Sequence, residues 1–557
     1  MKYNTINIII NLAKNFYKQF FLLVTLTIID GLILAGSVIS IVPLADYIID
    51  PQLNNPSKIT IILTKFLNDF SIGISLYSFA FLFIFLNFFK AIFSIFINYV
   101  ILKTKYSILV NLTQSLLNDI FSSRWSFFND LGPGKLFNTL RIELPKVGDM
   151  TGRICNIIAI FFQLTFYLII PIYLNISFTI VVSICFLILM SLNKFLKNSS
   201  KGYGKLNTDT ANRFAATISE TLLGAKFLLS SGLKKFVIKK NISALSKHID
   251  PSIKFALIQS SLEQLIKPIS VIIILFAMIL TIENNQSLPE YAALFWSFMA
   301  IIPLIGKILS NYLSIVNLSA SYEQLIFLKQ KSVKHKEEFG KIKFDNLKKD
   351  IIFKNVEFSY KDKNVLNNCN FQILKNKLNI IQGQSGVGKS TIIDLITGLQ
   401  IPSKGEIKID EINLNKYHLE EYRKSISVIN QEPFLFYDSI LNNITLNKTN
   451  FDLIKVEKIL EFLDAKSFIE TLPQGINTFV GDRGTEISGG QRQKIILARN
   501  LMKDPKILIL DEATNAIDKS SERKIINYLR SITFKMTIIL ITHQNFEIEK
   551  NDNIIKI

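Results

Sequence analysis

From residue 1 to about 340 the chain consists of long apolar runs broken by short polar ones; beyond that the pattern shortens to alternating strand-like and helix-like segments. Six runs approach or exceed the length needed to cross a hydrocarbon core of about 30 Å: 17–45, 72–102, 153–173, 174–192, 265–282 and 291–318. Residues 4–16 read as an interfacial helix. Further along, 351–360 alternates as a strand does, and the apolar stretch Leu378-Asn379-Ile380-Ile381 is a short strand leading into a glycine-rich loop. Residues 391–396 read as the helix after that loop, and 507–510 and 537–542 as two buried strands. The pattern predicts an α-helical six-span transmembrane domain (1–328), a Lys-rich linker (329–349) and an α/β domain (350–557), and the Gly-x-x-x-x-Gly-Lys-Ser spacing of Gly383–Ser390 makes that last domain a P-loop NTPase. At 557 residues the chain exceeds what one core usually holds.

Charge orients the spans. The net charge is +19, and residues 1–340 supply most of it, with 31 basic and 17 acidic residues against 32 and 27 in the remainder. The connections at 171–175 and 283–290 are short and carry no Lys or Arg, whereas 103–152 and 193–264 are long and basic. By the positive-inside rule the long connections lie in the cytoplasm, and the nucleotide-binding half with them. Their helical periodicity predicts that the spans continue beyond the bilayer. Because the basic residues lie between apolar spans, the high pI does not indicate a nucleic-acid partner. Cys155, Cys185 and Cys369 form neither a disulfide framework nor a zinc spacing. The N-terminus lacks a small-residue cleavage site and reads as a retained first span.

Three charges fall inside expected spans: Asp30, Lys90 and Lys307. Such residues are costly unless paired or hydrated. Asp30 and Lys90 lie at similar depth, so they are expected either to pair or to face a substrate cavity. Lys307 has no acidic partner at its depth and is a candidate for contacting an anionic group.

Residues 383–390, Gly-Gln-Ser-Gly-Val-Gly-Lys-Ser, spell a phosphate-binding loop between a strand and a helix. Glycines let successive N–H groups turn toward phosphates, Lys389 reaches the β- and γ-phosphates, and the Ser390 hydroxyl ligates Mg²⁺. The strand 507–510 ends in Asp511 and Glu512. Asp511 is suited to the Mg²⁺ shell, and Glu512 to polarising a water for attack on the γ-phosphate. His543 follows the other apolar strand, within reach of a γ-phosphate, although a lone histidine at a strand end is more often structural. Tyr360, ending its strand some twenty residues before the loop, offers an adenine-stacking face or a plain edge tyrosine.

These residues, with Ile487-Ser488-Gly489-Gly490-Gln491 about a hundred positions after the loop, closely resemble ATP-binding-cassette (ABC) exporters in which one membrane domain is fused to one ATP-binding domain. The resemblance covers almost the whole chain. It implies an ATP hydrolase coupled to transport, with ATP and Mg²⁺ as cofactors. Tyr360 matches the adenine-stacking loop; Gly383, Ser385, Gly386, Gly388, Lys389, Ser390 and Thr391 match the phosphate loop and the residue after it; Ser488, Gly489, Gly490 and Gln491 match the signature, and Asp518 the D-loop. Gln431 joins Glu512 and His543 among the catalytic residues, and joins Ser390 and Asp511 at the metal. Residues 478–484 resemble the X-loop, with Phe479 and Asp482 where glutamates are more usual; Ile487 replaces a commoner leucine. The chain runs only fourteen residues past His543, so a final strand or helix is expected to be missing.

The resemblance further implies a head-to-tail dimer, a second copy or a related half-transporter, in which the nucleotide on one Lys389 is capped by Ser488 and Gly490 of the partner subunit. Coupling would run through turns near Phe128–Phe137 and Ala215–Lys226. Within the exporters, Asp30 with Pro43, Lys90, and Lys307 with Tyr312 resemble features of bacterial lipid-linked oligosaccharide flippases. The expected substrate is a lipid-linked oligosaccharide or other lipid; peptide or small-drug export is the alternative, and an ATP-gated channel or regulatory receptor the second. An intact Glu512 argues against a pure switch. The expected location is the bacterial inner membrane, with the ATP-binding domain in the cytoplasm.

Overall fold

The computed structural model describes residues 14, 16–54, 56–69, 73–191, 193–281, 288–360, 363–384, 386–431, 434–515, 517–542 and 548–557. Apart from Lys14 and Phe16, the expected interfacial helix lies outside them, as do 282–287 of the last external connection and His543. The chain divides into two compact units: Met1–Ser123 with Phe127–Lys336, and Arg124–Ser126 with Glu337–Ile557.

Among the described residues of the first unit the regular elements are helices, with one isolated β-bridge between Ser123 and Lys336. Its long elements are α1 (Tyr17–Ile39), α2 (Ile41–Ile49), α3 (Lys58–Asp69), α4 (Leu76–Phe121), α5 (Trp125–Leu131), α6 (Pro133–Asn138), α7 (Leu144–Leu174), α8 (Ile176–Ser191), α9 (Asn193–Leu223), α10 (Ala225–Ser230), α11 (Lys234–Thr281) and α12 (Leu288–Lys334). Among the described residues five segments are long and apolar enough to cross a membrane; α8, at the fourth expected span, is shorter. The expected extension beyond the bilayer is present: α4, α11 and α12 each run 46 to 48 residues without a break. Around Ala215–Lys226, α9 continues to Leu223 and the short helix Ala225–Ser230 follows.

Ser75 starts α4 through a reciprocal capping box with Ser78. The outer stripe of α4 (Phe81, Ile84, Phe88, Ile92, Ile95) is exposed, as a lipid-facing surface requires. The inner faces form two apolar clusters. One joins α1, α4, α7 and α12 through Leu23, Ile108, Met150 and Ile315; the other joins α7, α8, α11 and α12 through Tyr167, Phe178, Ile274 and Phe298. A π-helical turn, Thr139–Glu143, precedes α7. It buries Glu143, whose carboxylate accepts from Lys146 Nζ (3.0 Å), Thr208 Oγ1 (3.0 Å) and Ser321 Oγ (2.6 Å), tying α7, α9 and α12 together.

The second unit contains a parallel sheet of order β6-β7-β8-β3-β9 and an antiparallel sheet of order β2-β1-β4-β5. The strands are β1 (Ile351–Tyr360), β2 (Lys363–Ile373), β3 (Leu378–Gln382), β4 (Lys404–Ile409), β5 (Ile412–Asn413), β6 (Ile426–Ile429), β7 (Ile507–Asp511), β8 (Thr537–Thr542) and β9 (Asn553–Lys556). Strands β7 and β8 are buried throughout, so they read as unbroken apolar runs. Successive side chains point to opposite faces. Leu508, Leu510, Ile538 and Leu540 enter one core; Ile507, Ile509, Ile539 and Ile541 enter the other. The closing residues supply β9 beside β3. Helix α12 ends at Lys334, inside the expected linker. At Glu337 the chain is fastened to the second unit by Arg423, whose Nη1 donates at 2.7 Å and Nη2 at 2.5 Å to the carboxylate.

Truncating Ile539, which has no exposed surface, to Ala leaves a cavity between β7 and β3. The expected cost is about 3 kcal/mol, a fall of roughly 6–12 °C in the apparent melting temperature of a unit this size. Thermal unfolding of the purified chain measures it; an unchanged transition would mean β8 does not carry this core.

Candidate active site

Parallel strands bring their C-terminal ends to one edge of the sheet, where ligands of such folds bind. Here that edge carries the glycine loop after β3, Asp511 at the end of β7 and Glu512 one residue on. The loop opens α13 (Lys389–Ile396). Gly388 has φ +106°, and a Cβ there would lie 2.8 Å from Leu366 Cδ2, so both conformation and space demand glycine. Gly386, at φ +85°, makes a second left-handed turn. Lys389 is buried, and its ammonium donates to the carbonyls of Gly383 (2.8 Å) and Gln384 (3.3 Å), which holds it over the loop. Ser385 lies outside the described residues.

The Ser390 hydroxyl donates to Asp511 Oδ2 at 3.3 Å. Burial pushes the Asp511 carboxyl above the usual carboxylate range, against the Ser390 hydrogen bond, and the Glu512 charge adds to the rise. The adjoining Glu512 takes φ +50°, turning the chain sharply off the end of β7. Gln431 Nε2 and Asn515 Nδ2 each donate to Glu512 Oε2 at 3.0 Å. Tyr360 ends β1 with its ring edge-to-face on Phe358, and its hydroxyl donates to Asp394 Oδ2 on α13 at 3.3 Å. The ring is thus tied to the helix that follows the phosphate loop. Thr391 is buried on α13.

Two expected groups stand apart from these contacts. Ser488 caps α18 (Gly489–Met502): its Oγ accepts from Gln491 N at 3.3 Å, while Gln491 Oε1 accepts from Ser488 N at 2.9 Å. Among the described residues the Ser488 and Gln491 side chains bond each other's backbone amides and not the phosphate loop. Asp518 caps α19 (Lys519–Ser531), and hydrogen bonds from Ser520 and Ser521 hold its carboxyl far below the usual range. The residues proposed for Mg²⁺ (Ser390, Asp511, Gln431) offer only oxygen donors, as a hard cation prefers. No cluster of three His, Cys, Asp or Glu that could hold a metal exists among the described residues.

In the membrane unit a cavity of about 670 Å³ lies among α4, α7, α11 and α12. Lys307 lines it, together with Arg153, Lys267, Glu263, Asn156 and Gln163. The direct Asp30–Lys90 pair does not form. Gln163 and Tyr167, one turn apart on α7, intercept the two charges: Gln163 Nε2 donates to Asp30 Oδ2 at 2.6 Å, and Lys90 Nζ donates to the Tyr167 hydroxyl at 2.8 Å. Lys90 is not among the cavity residues, and Asp30 meets them only through Gln163. Sequence reasoning missed Arg153, Lys267 and Glu263, which sit at the edges of expected spans. The spacing Arg153, Asn156, Ile160, Gln163 places these cavity-lining residues along one helical face, and that periodicity was the available signal.

A phosphate loop opening a helix, its hydroxyl on the carboxylate of a nearby strand, and a second carboxylate one residue on define an ATP-hydrolysing unit; here the same chain carries a helical membrane unit. The chain belongs to the ABC transporter family. Residues 366–515 match the ABC transporter family and 5–303 the ABC transporter transmembrane region. It is 30% identical over 460 residues to the heterocyst differentiation ATP-binding protein HepA of Nostoc sp., covering 80% of this chain and 74% of that protein. It is 29% identical over 473 residues to the ATP-dependent lipid A-core flippase of Haemophilus influenzae, covering 83% and 80%. A bacterial Atm1-family ABC exporter with ATP bound shares the fold at TM-score 0.76 and 19% identity, over 96% of this chain and 91% of that one. The chain is thus a multi-pass membrane protein of the exporter type that couples ATP hydrolysis to transport. With one ATP-binding domain per chain, it acts as a dimer.

Replacing Lys389 with Ala removes the cation expected to meet the phosphates; ATP affinity, measured by nucleotide titration, is expected to fall at least about tenfold. The raised Asp511 carboxyl carries a sign. It takes up a proton at a higher pH than a free aspartate, so Mg²⁺-dependent ATP binding is expected to weaken as pH falls through that raised value. Asp511→Asn should flatten this pH dependence, and an unchanged profile would assign the proton elsewhere.

Proposed function

We propose that the chain moves a lipid with an anionic head group, a lipid-linked oligosaccharide or a similar lipid, across a bacterial inner membrane, working as a homodimer or with a related half-transporter. The observation that carries this reading is the cavity in the membrane unit, where Arg153, Lys267 and Lys307 face a single acidic residue, Glu263. A cation at the bilayer centre costs about 2.5–3.5 kcal/mol on insertion scales; Lys307 lies inside its expected span and Arg153 and Lys267 at span edges, so the cavity lining is net cationic and suits an anionic ligand. Arg153 is already oriented, donating from Nη1 to Asn311 Oδ1 at 3.0 Å. A guanidinium and two ammonium groups among side-chain amides suit a phosphate or pyrophosphate. Relatives named as lipid A-core flippases support a lipid.

In the nucleotide unit, Lys389 and the loop amides bind the β- and γ-phosphates, and the Tyr360 ring receives the adenine. Ser390, Asp511 and Gln431 hold Mg²⁺, which supplies positive charge against the phosphates when bound. Glu512 polarises the attacking water, and His543 contacts the γ-phosphate. Ser488, Gly489, Gly490 and Gln491 cap the nucleotide of the opposite chain, with Asp518 beside them. The helix N-terminus at α18, with its exposed amides, suits an anion there.

The test is ATPase activity in lipid nanodiscs, for the wild type and Glu512→Gln, with lipid-linked glycans, other lipids, peptides and drugs added. Stimulation by an anionic lipid is expected, with Glu512→Gln lowering turnover by about 10²–10³. Lys307→Gln and Arg153→Gln should each raise the lipid concentration needed for half-stimulation by about tenfold while leaving basal hydrolysis intact. Stimulation by peptides or drugs alone would overturn the lipid reading.

A further inference from the structure

The helix after the phosphate loop carries a carboxylate, Asp394, that none of the motifs described above uses. We propose that Asp394 is a positioning residue for base recognition: it fixes the Tyr360 ring relative to the phosphate loop, so that a nucleotide with its base is bound more tightly than a bare triphosphate. The inference rests on the reading of Tyr360 as the adenine platform. A stacking surface contributes most when its plane is set before the ligand arrives, because ordering a free side chain on binding costs affinity. Tyr360 is the last residue of β1 and is 39% exposed, so the sheet alone does not hold it.

Two contacts set the ring. Phe358, two residues back and so on the same face of β1, meets it edge to face, with centroids 4.8 Å apart and planes at 84°. Phe358 is buried in the core that also contains Ile392, Ile393 and Ile396 of α13, which makes it a firm support. The second contact is polar: the Tyr360 hydroxyl donates to Asp394 Oδ2 at 3.3 Å. The aromatic contact limits the tilt of the ring, and the hydrogen bond fixes where its far end lies.

The place of Asp394 on α13 gives that bond its consequence. Asp394 follows Ser390 by four residues, one turn along, so the two side chains share a face of the helix. Ser390 donates to Asp511, and the Asp394 charge reaches Asp511 as well, adding to the rise of that carboxyl. The group that grips the platform and the group that meets the metal site therefore stand on one helix. The backbone at Asp394 is pinned in turn, its carbonyl accepting from Gln400 N–H at 3.0 Å. Asp394 is half-buried, which lifts its carboxyl above the usual carboxylate range while the Tyr360 hydrogen bond opposes the rise. An ionised carboxylate only accepts hydrogen bonds, which suits it to the phenol donor.

The experiment uses the full chain in nanodiscs and compares wild type, Asp394→Ala, Asp394→Asn, Tyr360→Phe, Tyr360→Ala and the double variant Asp394→Ala with Tyr360→Phe. Affinities for ATP and for tripolyphosphate are measured by titration with Mg²⁺ present, and hydrolysis at steady state. Asp394→Ala is expected to weaken ATP binding about fivefold, with KM rising in step, while tripolyphosphate affinity and kcat stay within about twofold. Tyr360→Phe should lose as much, and the double variant no more than either, because both remove one hydrogen bond. Asp394→Asn keeps an acceptor oxygen without the charge and should retain most of the affinity. Unchanged ATP affinity in Asp394→Ala, an equal loss for tripolyphosphate, equal losses in the Ala and Asn variants, or losses that multiply in the double variant would each overturn the proposal. If Tyr360→Ala binds ATP normally, the reading of Tyr360 as the platform fails and this inference with it. If Tyr360→Ala binds weakly while Asp394→Ala is normal, that reading stands and only this inference falls.

Discussion

The chemistry of this transporter depends on the register of three neighbouring parallel strands, β7, β8 and β3. Leu510 and Ile380 both lie opposite Leu540, so the strands before and after the central one end level with each other. Alternating side chains lock that register into two separate cores, and a slip of one residue would exchange them. Because the ends are level, Ser390 meets Asp511 across the end of β8, and Glu512 leaves the sheet where Gln431 and Asn515 can reach it. Apolar packing, which is non-directional, thus fixes polar geometry to within a hydrogen bond.

The membrane unit answers a different constraint. A charge in an apolar bundle needs a partner or water, and the partners here are neutral polar groups on α7. Gln163 and Tyr167 separate Asp30 from Lys90 and bind each, leaving Asp30 Oδ1 without a hydrogen-bond partner among the described residues. Other cations of this unit gather at the cavity lined by Arg153, Lys267 and Lys307, with Glu263 beside them. Buried Glu143 is satisfied by one lysine and two hydroxyls from three helices, so even a full charge can serve as a helix cross-link when both carboxylate oxygens are hydrogen-bonded.

Motifs confined to one short segment are legible in the amino-acid sequence. The phosphate loop, the pair Asp511-Glu512 and the signature capping box are each set by local spacing, as is the buried strand character of 507–510 and 537–542. The long helices are legible too, because their period is carried by every turn. Less legible are features that depend on which way a helix face turns. Arg153 and Lys267 read as charges at span boundaries, and Asp394 as an ordinary residue of a helix; each gains meaning only from a neighbour distant in sequence.

The sequence by itself determined the two-part architecture, the chemistry of ATP hydrolysis and the membrane class, because periodicity and contiguous motifs are one-dimensional signals. The tertiary structure alone decided that Asp30 binds Gln163 in place of Lys90, that Lys307 shares a cavity with Arg153 and Lys267, and that Glu512 is gripped by two amides. Depth along a span predicts which charges lie level with each other. Pairing also requires the helix rotation and side-chain reach that bring two groups within about 3 Å, and packing of the whole bundle sets both.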